Sequence, residues 1–250
     1  MISYTPMRVG LAQLKLWEVA SAIGRCPYCG LTLFVRPNHD TSPTGVRCAG
    51  CSAGVVQLSI GWALRDVIGP LDQYDVCELS ARGQLAPYLR RTARSAATSE
   101  YFPDVARGTL HEGVRCEDVQ QLTYADASFD LVTHTEVLEH VPDDARALAE
   151  LLRVLRPGGT MLFTVPMHDG VRTVERARLR DGVVEHLLQP VYHLDPLRGE
   201  GIIAFRDYGS DILDRLSAAG FGSAEILASS PRLRWLGGLP VILTRKALQS

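Results

Sequence analysis

The sequence predicts an α/β protein in which a doubly wound, mainly parallel sheet of seven strands follows a small module rich in cysteine. From residue 73 onward, seven short apolar segments typical of strands alternate with segments that have helical apolar spacing. Such alternation indicates a parallel sheet with helices on both faces. Residues 23–60 differ in composition, because Gly, Pro, Cys and Thr are common there, and they are too few to bury a core of their own.

These features divide the chain of 250 residues into three parts. Residues 1–22 show a helical spacing of leucines and are predicted to form a leader helix. Residues 23–60 form the cysteine-rich module, in which the apolar run at 55–58 is predicted to be a strand. Residues 61–250 form the α/β domain. Its alternation of strands and helices breaks at about 168–207, which predicts an insertion, and insertions of this length are usually functional.

The bulk composition is that of a globular protein without a strong charge. Hydrophobic residues make up 46% of the chain, charged residues 22%, and the formal net charge is -2. This balance gives no argument for nucleic-acid binding, which favours a strongly basic surface. We find neither an apolar run of the roughly 18 residues that a membrane-spanning helix needs nor the pattern of a signal peptide. We therefore expect a cytoplasmic protein whose thiols stay reduced.

Four of the six cysteines form two C-x-x-C pairs, Cys26 with Cys29 and Cys48 with Cys51. Each pair can form a tight turn that points two thiolates at one centre, and four thiolates at this spacing favour a tetrahedral zinc ion. The module is therefore predicted to be a zinc ribbon. Because four protein ligands leave no open position, we expect this zinc to be structural. Redox motifs or free thiols are the alternative interpretation.

The elements of the α/β domain follow from its apolar runs and its helix signals. The predicted strands span residues 74–79, 96–102, 114–116, 129–134, 160–166, 224–227 and 241–244. The predicted helices span residues 85–91, 143–155 and 211–219. The second helix has the clearest limits, because Pro142 precedes it, acidic residues occupy its first turn, and the run Pro157-Gly158-Gly159 is predicted to stop it.

Several runs at the predicted strand ends form a recognisable pattern. Residues 128–132 read SFDLV, residues 137–141 read VLEHV, and residues 153–159 read RVLRPGG. With these runs, residues 73–165 resemble the class I S-adenosylmethionine-dependent methyltransferases, and in particular their small-molecule branch. The resemblance implies a Rossmann-like fold, S-adenosyl-L-methionine as the cofactor, and a small-molecule acceptor as the partner.

The resemblance also implies contacts between the cofactor and particular side chains. The implied cofactor-binding residues are Glu78, Ser80, Gly83, Glu100, Asp118, Val119, Thr135 and Glu136. Glu100 ends the second strand, where the family has an acid that accepts both ribose hydroxyls, a task for which a carboxylate offers two acceptor oxygens. Asp118 and the backbone at Val119 would lie beside the adenine, and Thr135 and Glu136 would lie near the methyl group.

The first loop of the domain departs from the family pattern E-x-G-x-G-x-G. It reads ELSARG over residues 78–83, so Gly83 is the one glycine left. Glycines at these positions allow a positive φ and a close approach of the backbone to the cofactor. Their loss leaves two interpretations open, a reshaped loop around the same cofactor or a degenerate binder.

The insertion offers candidate catalytic residues. His193 with Asp195 is a possible pair of general base and orienting acid for a hydroxyl acceptor, and His186 is a second candidate base. The same three side chains could instead bind a divalent metal, or belong to a structured lid. His140, before the clearest helix, is interpreted as a capping or packing residue rather than a base.

Arginines are concentrated at the start of the insertion. They are Arg172, Arg176, Arg178 and Arg180. We predict that they form a solvated helix face, because charge runs usually do. The alternative is a binding site for a phosphorylated or nucleotide-linked substrate, since the guanidinium group matches the geometry of phosphate.

With these residues, the resemblance implies a methyltransferase that O-methylates a small molecule such as a sugar or a glycolipid precursor. A ribosomal RNA or other nucleic-acid methyltransferase is the first alternative, because some of these enzymes join a four-ligand zinc module to the same fold. Residues 1–60 carry five basic and two acidic side chains, which is a mild balance for RNA binding. A non-catalytic docking protein with a vestigial cofactor fold is the second alternative.

Overall fold

The computed structural model describes residues 23–36, 45–194, 201–228 and 238–248. The leader helix predicted at 1–22 lies outside the described residues. None of the helices within these ranges has the length and apolar character that crossing a bilayer requires. The described chain consists of a small cysteine module and an α/β domain.

The cysteine module is an antiparallel sheet of three strands, β1 (Ile23–Cys26), β2 (Gly30–Val35) and β3 (Arg47–Cys48). The register places Cys26 opposite Gly30 and Phe34 opposite Cys48. The strands therefore bring the two C-x-x-C turns to the same end of the module, as the sequence predicted.

Residues 55–58 begin helix α1 (Val55–Ala63) and are not a strand, so that prediction was wrong. The helix is buried on two sides, since Leu58 and Trp62 pack against the cysteine module and Ile60 packs against the main sheet. A helix buried on both sides has no polar stripe. Its apolar run therefore cannot be told from that of a buried strand by periodicity.

The α/β domain contains strands β4 to β17. In chain order they are β4 (Asp75–Glu78), β5 (Ser95–Glu100), β6 (Leu110–His111), β7 (Val114–Cys116), β8 (Phe129–Thr135), β9 (Leu155–Thr164), β10 (Val174–Glu175), β11 (Ala177–Arg180), β12 (Val183–His186), β13 (Tyr192–Leu194), β14 (Gly201–Ile203), β15 (Arg206–Asp207), β16 (Ser223–Leu227) and β17 (Val241–Arg245).

The main sheet has the strand order β16-β17-β9-β8-β4-β5-β7-β6. The five strands from β9 to β7 in this order are parallel, and β17, β16 and β6 pair antiparallel with their neighbours. All seven predicted strands are present, and the short β6 adds an eighth at the edge. The strand order reverses between β4 and β8, and ligands of open α/β sheets bind at the carboxyl ends of the strands beside such a reversal.

Three further helices cover the sheet. They are α2 (Leu85–Thr92), α3 (Asp144–Val154) and α4 (Ile212–Ala218), and a 3₁₀ turn (Leu138–His140) precedes α3. The Asp143 side chain caps α3 by accepting a hydrogen bond of 3.0 Å from the Arg146 amide. Residues 157–159 were predicted to end this helix. The helix instead ends at Val154 and β9 begins at Leu155, so the run 157–159 lies within the strand.

The insertion folds into short antiparallel strand pairs rather than a helix. β10 pairs with β15, β11 with β12, and β13 with β14. Arg178 pairs with Glu185 across β11 and β12 at 2.8 Å, and Arg176 pairs with Asp207 at 2.5 Å. The prediction of a solvated helix face was therefore wrong, because two of the four arginines hold strands of the insertion together.

Arg206 in β15 anchors the insertion to the chain that follows β8. Its side chain is 3% exposed and donates hydrogen bonds to three backbone oxygens, those of Leu138 at 3.0 Å, Val141 at 2.6 Å and Pro142 at 2.8 Å. Its Nε also lies 3.1 Å from a carboxylate oxygen of Glu175. One buried cation therefore satisfies the backbone around the 3₁₀ turn and ties the insertion to it.

Replacing Arg206 by Met should destabilise the protein strongly. The substitution removes the donor from three carbonyl oxygens and leaves the Glu175 carboxylate without this partner. A buried acceptor that loses its donor costs about 1–3 kcal/mol, and three carbonyl oxygens lose theirs, so we expect the free energy of unfolding to fall by roughly 3 kcal/mol or more. Denaturation in urea measures the change.

Arg178→Met is the matched control, because Arg178 also pairs with a carboxylate in the insertion but has a side chain that is 54% exposed. We expect its urea midpoint to stay near that of the unmodified protein. Equal destabilisation by the two substitutions would contradict the anchoring role of Arg206.

Candidate functional site

The carboxyl end of β4 carries a buried acid. Glu78 is 1% exposed, and its Oε2 accepts a hydrogen bond from the Thr133 hydroxyl on the neighbouring strand β8. Its Oε1 makes no hydrogen bond to any described residue. Burial raises the pKa of Glu78 well above its usual value. A carboxyl group with an unsatisfied buried oxygen at the strand-order reversal is suited to hold a polar group of a ligand.

The loop after β4 folds onto the acid at the end of β5. Oε1 of Glu100 accepts hydrogen bonds from the Ser80 hydroxyl at 2.9 Å and from the Ala81 amide at 3.0 Å. Ser80 Oγ in turn accepts a bond of 3.1 Å from the Arg82 amide. The side chains and amides of the loop therefore converge on one carboxylate.

This loop does not need the missing glycines. A positive φ occurs at Gly83, where it is +69°, and not at Ser80, Ala81 or Arg82. Gly83 also lies so close to helix α1 that a Cβ there would stand 1.8 Å from Gln57 Nε2. The one glycine that the sequence keeps thus occupies the position at which the backbone requires it.

A cavity of about 410 Å³ opens beside the ends of β5 and β7. Its lining includes Tyr101, Phe102 and Asp118. Asp118 Oδ1 accepts a hydrogen bond of 2.9 Å from the Gln120 amide, while the Val119 side chain is buried in the core of the domain. Aromatic rings beside a carboxylate, in a cavity of this size, suit a planar ligand with hydrogen-bond donors.

The chain turns sharply where β8 ends. Thr135 is the last residue of the strand, and Glu136 has a φ of +53°, with its amide donating to the Thr164 oxygen at 3.0 Å. Burial raises the pKa of Glu136 to about 7. The turn leads into the 3₁₀ turn that Arg206 holds, so the segment after β8 has a defined position beside the reversal of the sheet.

Glu139 in the 3₁₀ turn is the most deeply buried acid of this segment. It is 0% exposed, and neither of its carboxylate oxygens makes a hydrogen bond to a described residue. Burial, followed by repulsion from Glu136, raises the pKa of Glu139 well above its usual value. A buried acid without hydrogen bonds is costly to the fold, and such groups are concentrated at functional sites.

Two imidazoles lie against Glu139. Oε1 of Glu139 is 3.6 Å from His140 Nε2 and 3.8 Å from His193 Nδ1. The two rings meet edge to face, with their centroids 4.9 Å apart. Partial burial lowers the pKa of His193, so that its neutral form is favoured at pH 7. We refer to Glu139, His140 and His193 as the acid–imidazole cluster.

The insertion positions the cluster through its backbone. The Phe205 amide donates to the backbone carbonyl oxygen of Glu139 at 2.7 Å, and His140 Nδ1 donates to the backbone carbonyl oxygen of Ile203 at 2.7 Å. β14 also pairs His193 with Ile202. The strand pair β13–β14 therefore carries His193 onto the segment after β8.

Of the three predicted catalytic residues His193, His186 and Asp195, only His193 is found in this cluster among the described residues. His186 is exposed at the end of β12, and Asp195 lies outside the described residues. Glu139 and His140 also belong to this cluster, and both stand in the VLEHV run, although the sequence did not predict their contact with His193. The packing interpretation of His140 agrees with its bond to Ile203, but that bond also orients the ring toward Glu139.

The four cysteines of the module converge as their spacing predicted. Their sulfur atoms all lie within 4.8 Å of one another, with Cys26 and Cys51 at 3.6 Å and Cys29 and Cys48 at 3.4 Å. Zn–S bonds of about 2.3 Å place tetrahedral sulfurs roughly 3.8 Å apart. Burial raises the pKa of Cys29 to about 12, and the neighbouring thiols hold the pKa of Cys48 below its usual value. The cluster therefore has the shape of a four-thiolate metal site.

Known proteins match the α/β domain. Residues 80–163 fit the family model described as a methyltransferase domain. Over 137 residues the chain is 42% identical to a probable S-adenosylmethionine-dependent methyltransferase of Mycolicibacterium smegmatis, an alignment that covers 54% of this chain and 42% of that protein.

Two further curated relatives have more specific names. The chain is 42% identical over 83 residues to a dimethylglycine N-methyltransferase of Parasynechococcus marenigrum, covering 33% of this chain and 24% of that protein. It is 35% identical over 71 residues to a ubiquinone biosynthesis O-methyltransferase of Coxiella burnetii, covering 26% of this chain and 30% of that protein. The chain thus spans less than half the length of the curated relatives it matches.

The strand order of the main sheet, the sequence runs at its strand ends and the match of residues 80–163 agree with one another. Over residues 80–163 the α/β domain is therefore similar to the methyltransferase family, and the chain resembles S-adenosylmethionine-dependent methyltransferases over part of their length.

Proposed function

We propose that this chain is an S-adenosylmethionine-dependent methyltransferase that O-methylates a hydroxyl group of a small molecule, such as a sugar or a glycolipid precursor. The observation that carries the proposal is the acid–imidazole cluster beside the carboxyl end of β8, where His193 Nδ1 lies 3.8 Å from Glu139. This cluster adjoins the edge of the sheet at which the fold binds its ligands. It provides an imidazole where a hydroxyl acceptor needs a base.

The residues at the strand ends fit the cofactor. Glu100 would accept the ribose hydroxyls, Asp118 would accept from the adenine amino group in the cavity beside Tyr101, and Glu78 would hold the methionine part. Ser80, Gly83, Val119, Thr135 and Glu136 complete the proposed contacts. When bound, S-adenosyl-L-methionine supplies an electrophilic methyl group.

The remaining task of the protein is to prepare the acceptor. Methyl transfer to a hydroxyl releases a proton, and a neutral imidazole with a pKa near or below 7 can take it up. His193 meets this requirement, because partial burial lowers its pKa. Glu139 lies beside the ring and, once ionised, would stabilise the imidazolium that forms.

A hydroxyl acceptor is favoured over an amine for the same reason. One relative is named an O-methyltransferase and another an N-methyltransferase, so the relatives leave the acceptor atom open. A neutral amine already has a nucleophilic lone pair. A base poised at the site is therefore of more use to a hydroxyl than to an amine.

The cysteine cluster is proposed to hold one structural zinc ion. Sulfur separations of 3.4 and 3.6 Å suit a tetrahedral metal, and four thiolates leave no open coordination position. Helix α1 connects this module to the main sheet. The metal would therefore stabilise the module rather than take part in methyl transfer.

Replacing Glu100 by Gln should weaken cofactor binding. The substitution keeps the shape of the side chain but removes the charge that strengthens its hydrogen bonds. Hydrogen bonds to charged groups contribute about 1.5–3 kcal/mol, so we expect the Kd for S-adenosyl-L-methionine to rise roughly 10- to 100-fold. Isothermal titration calorimetry measures this Kd.

Glu225→Gln is the control for this change, because Glu225 is an exposed acid on the edge strand β16. It should leave the Kd unaltered. A Glu100→Gln protein that binds the cofactor as tightly as the unmodified chain would remove Glu100 from the cofactor site.

Labelled methyl groups should appear in the small-molecule fraction of a cell extract. The assay supplies the full-length chain with methyl-labelled cofactor and separates RNA, protein and small molecules. His193→Ala should lower the rate of this transfer by about 10²- to 10⁴-fold, the usual contribution of a general base, while the cofactor Kd changes by no more than a few-fold.

His186→Ala in the same assay tests the second candidate base. If only His193→Ala lowers the rate of methyl transfer, His193 is the general base. If His186→Ala lowers the rate equally, the role of general base is no longer specific to His193. Label that appears in RNA would overturn the proposed acceptor class, and turnover that survives His193→Ala would remove His193 from the mechanism.

Removing the metal should unfold the cysteine module without abolishing cofactor binding. Structural zinc sites contribute directly to folding, so chelation or Cys48→Ser should expose strands β1 and β2 to proteolysis. Helix α1 keeps its packing on the main sheet, so the cofactor Kd should stay within a few-fold. Limited proteolysis with metal analysis and a cofactor titration measure the two effects. An intact module after complete zinc loss would contradict the structural role.

A further inference from the structure

We propose that the acid–imidazole cluster is a binding site for a divalent transition-metal ion, with Glu139, His140 and His193 as its protein ligands. Their ligand atoms all lie within 4.8 Å of one another. The site is separate from the four cysteines and is formed by two segments, the 3₁₀ turn after β8 and strand β13 of the insertion.

The Glu139 carboxylate is the observation that points to a ligand. It is 0% exposed, yet neither oxygen is hydrogen-bonded to a described residue. His140 Nε2 and His193 Nδ1 are 3.6 and 3.8 Å from Oε1, which is beyond hydrogen-bonding distance. A buried carboxylate destabilises the fold unless an opposing charge compensates it, and a cation placed between Glu139, His140 and His193 would do so.

The histidines present the right nitrogens to such an ion. His140 Nδ1 donates to the Ile203 carbonyl oxygen at 2.7 Å, so Nδ1 carries the proton and the lone pair is on Nε2. Nε2 is the nitrogen that faces Glu139. Backbone oxygens that hold the second nitrogen of a histidine in this way are a usual feature of metal-bound imidazoles.

The distances from Glu139 Oε1 to the two imidazole nitrogens would suit a bound metal after a small decrease. Bonds of about 2.1 Å to nitrogen and oxygen place tetrahedral ligand atoms roughly 3.4 Å apart. The observed 3.6 and 3.8 Å exceed this value by a few tenths of an ångström. Rotation of the His193 side chain, which is 35% exposed, can supply that movement.

The ligand set selects the class of metal. Two imidazoles with one carboxylate favour ions such as Zn²⁺, Fe²⁺, Co²⁺ or Mn²⁺ over Mg²⁺ and Ca²⁺, which prefer oxygen ligands throughout. Three protein ligands also leave coordination positions open, as in catalytic rather than structural metal sites. The four-cysteine site, by contrast, is closed.

The open positions would take oxygen atoms of the acceptor, and this part of the inference rests on the proposed function. A bound cation lowers the pKa of a hydroxyl that it coordinates, so the hydroxyl can lose its proton to solvent water near pH 7. His193 would then act as a metal ligand through Nδ1, and the cation would perform the activation assigned above to a base. A molecule with two adjacent oxygens could fill two open positions at once.

Mn²⁺ binding to the full-length, zinc-loaded protein tests the site. Soft thiolates are poor ligands for Mn²⁺, so the cysteine cluster should not compete. We expect one Mn²⁺ to bind per chain. Binding is measured as the decrease of the electron paramagnetic resonance signal of free Mn²⁺. His193→Ala and Glu139→Gln should each raise the Kd for Mn²⁺ at least tenfold. A parallel titration with Co²⁺ should rank the unmodified protein and the variants in the same order of affinity.

His186→Ala is the matched control, since it removes an exposed histidine of the same insertion and should leave the Kd unchanged. Pulsed electron paramagnetic resonance on the unmodified protein should show nitrogen couplings from two imidazoles, a result that does not depend on whether the variants fold. The proposal is overturned if neither ion binds, if all four proteins bind alike, or if the bound Mn²⁺ shows no imidazole nitrogen.

Metal binding is measured without cofactor or acceptor, so its outcome is independent of methyl transfer. A protein that binds Mn²⁺ through two imidazoles but transfers no methyl group would retain the metal site and lose the proposed function. A protein that transfers methyl groups with the metal removed would retain the proposed function and leave His193 as its base.

Discussion

The position of the candidate acceptor site depends on the burial of a single guanidinium group. Arg206 donates to the backbone oxygens of Leu138, Val141 and Pro142, so it holds the 3₁₀ turn and the insertion in one arrangement. No other cation of the described insertion is buried to this degree. A guanidinium suits this task, because its planar fork offers five donors and stays charged. The cluster of Glu139, His140 and His193 therefore forms only where this arrangement is intact.

The second property of the site is the number of buried acids at one edge of the sheet. Glu78 is the last residue of β4, Glu136 and Glu139 follow the adjacent strand β8, and burial raises the pKa of each. An apolar side chain at these positions would stabilise the fold more. Acids buried at a cost in stability are concentrated at functional sites, which supports a polar ligand at this edge. The same edge is where the strand order reverses, so topology and electrostatics indicate the same place.

The sequence predicted the strands of the sheet well, because each of the seven is a short apolar run bounded by turn residues. It failed at helix α1, whose burial on two sides removes the polar stripe that identifies a helix. It also failed for the arginines of the insertion, because Arg176 and Arg178 find their carboxylates only after strands have paired. The contact of His193 with Glu139 was not predictable for the same reason, since the two residues are 54 positions apart and the contact exists only once the insertion has folded back.

The loop of Ser80, Ala81 and Arg82 has a consequence for the unfolded chain. In the folded protein these residues have ordinary backbone angles, so none of them needs to be glycine. In the unfolded protein each has fewer accessible conformations than glycine, and such a replacement favours folding by about 0.4–1 kcal/mol per position. The loop therefore loses less entropy when it becomes ordered over Glu100. A cofactor that binds there would contact a loop that is already ordered. Less conformational entropy would then be lost on binding, which favours a higher affinity.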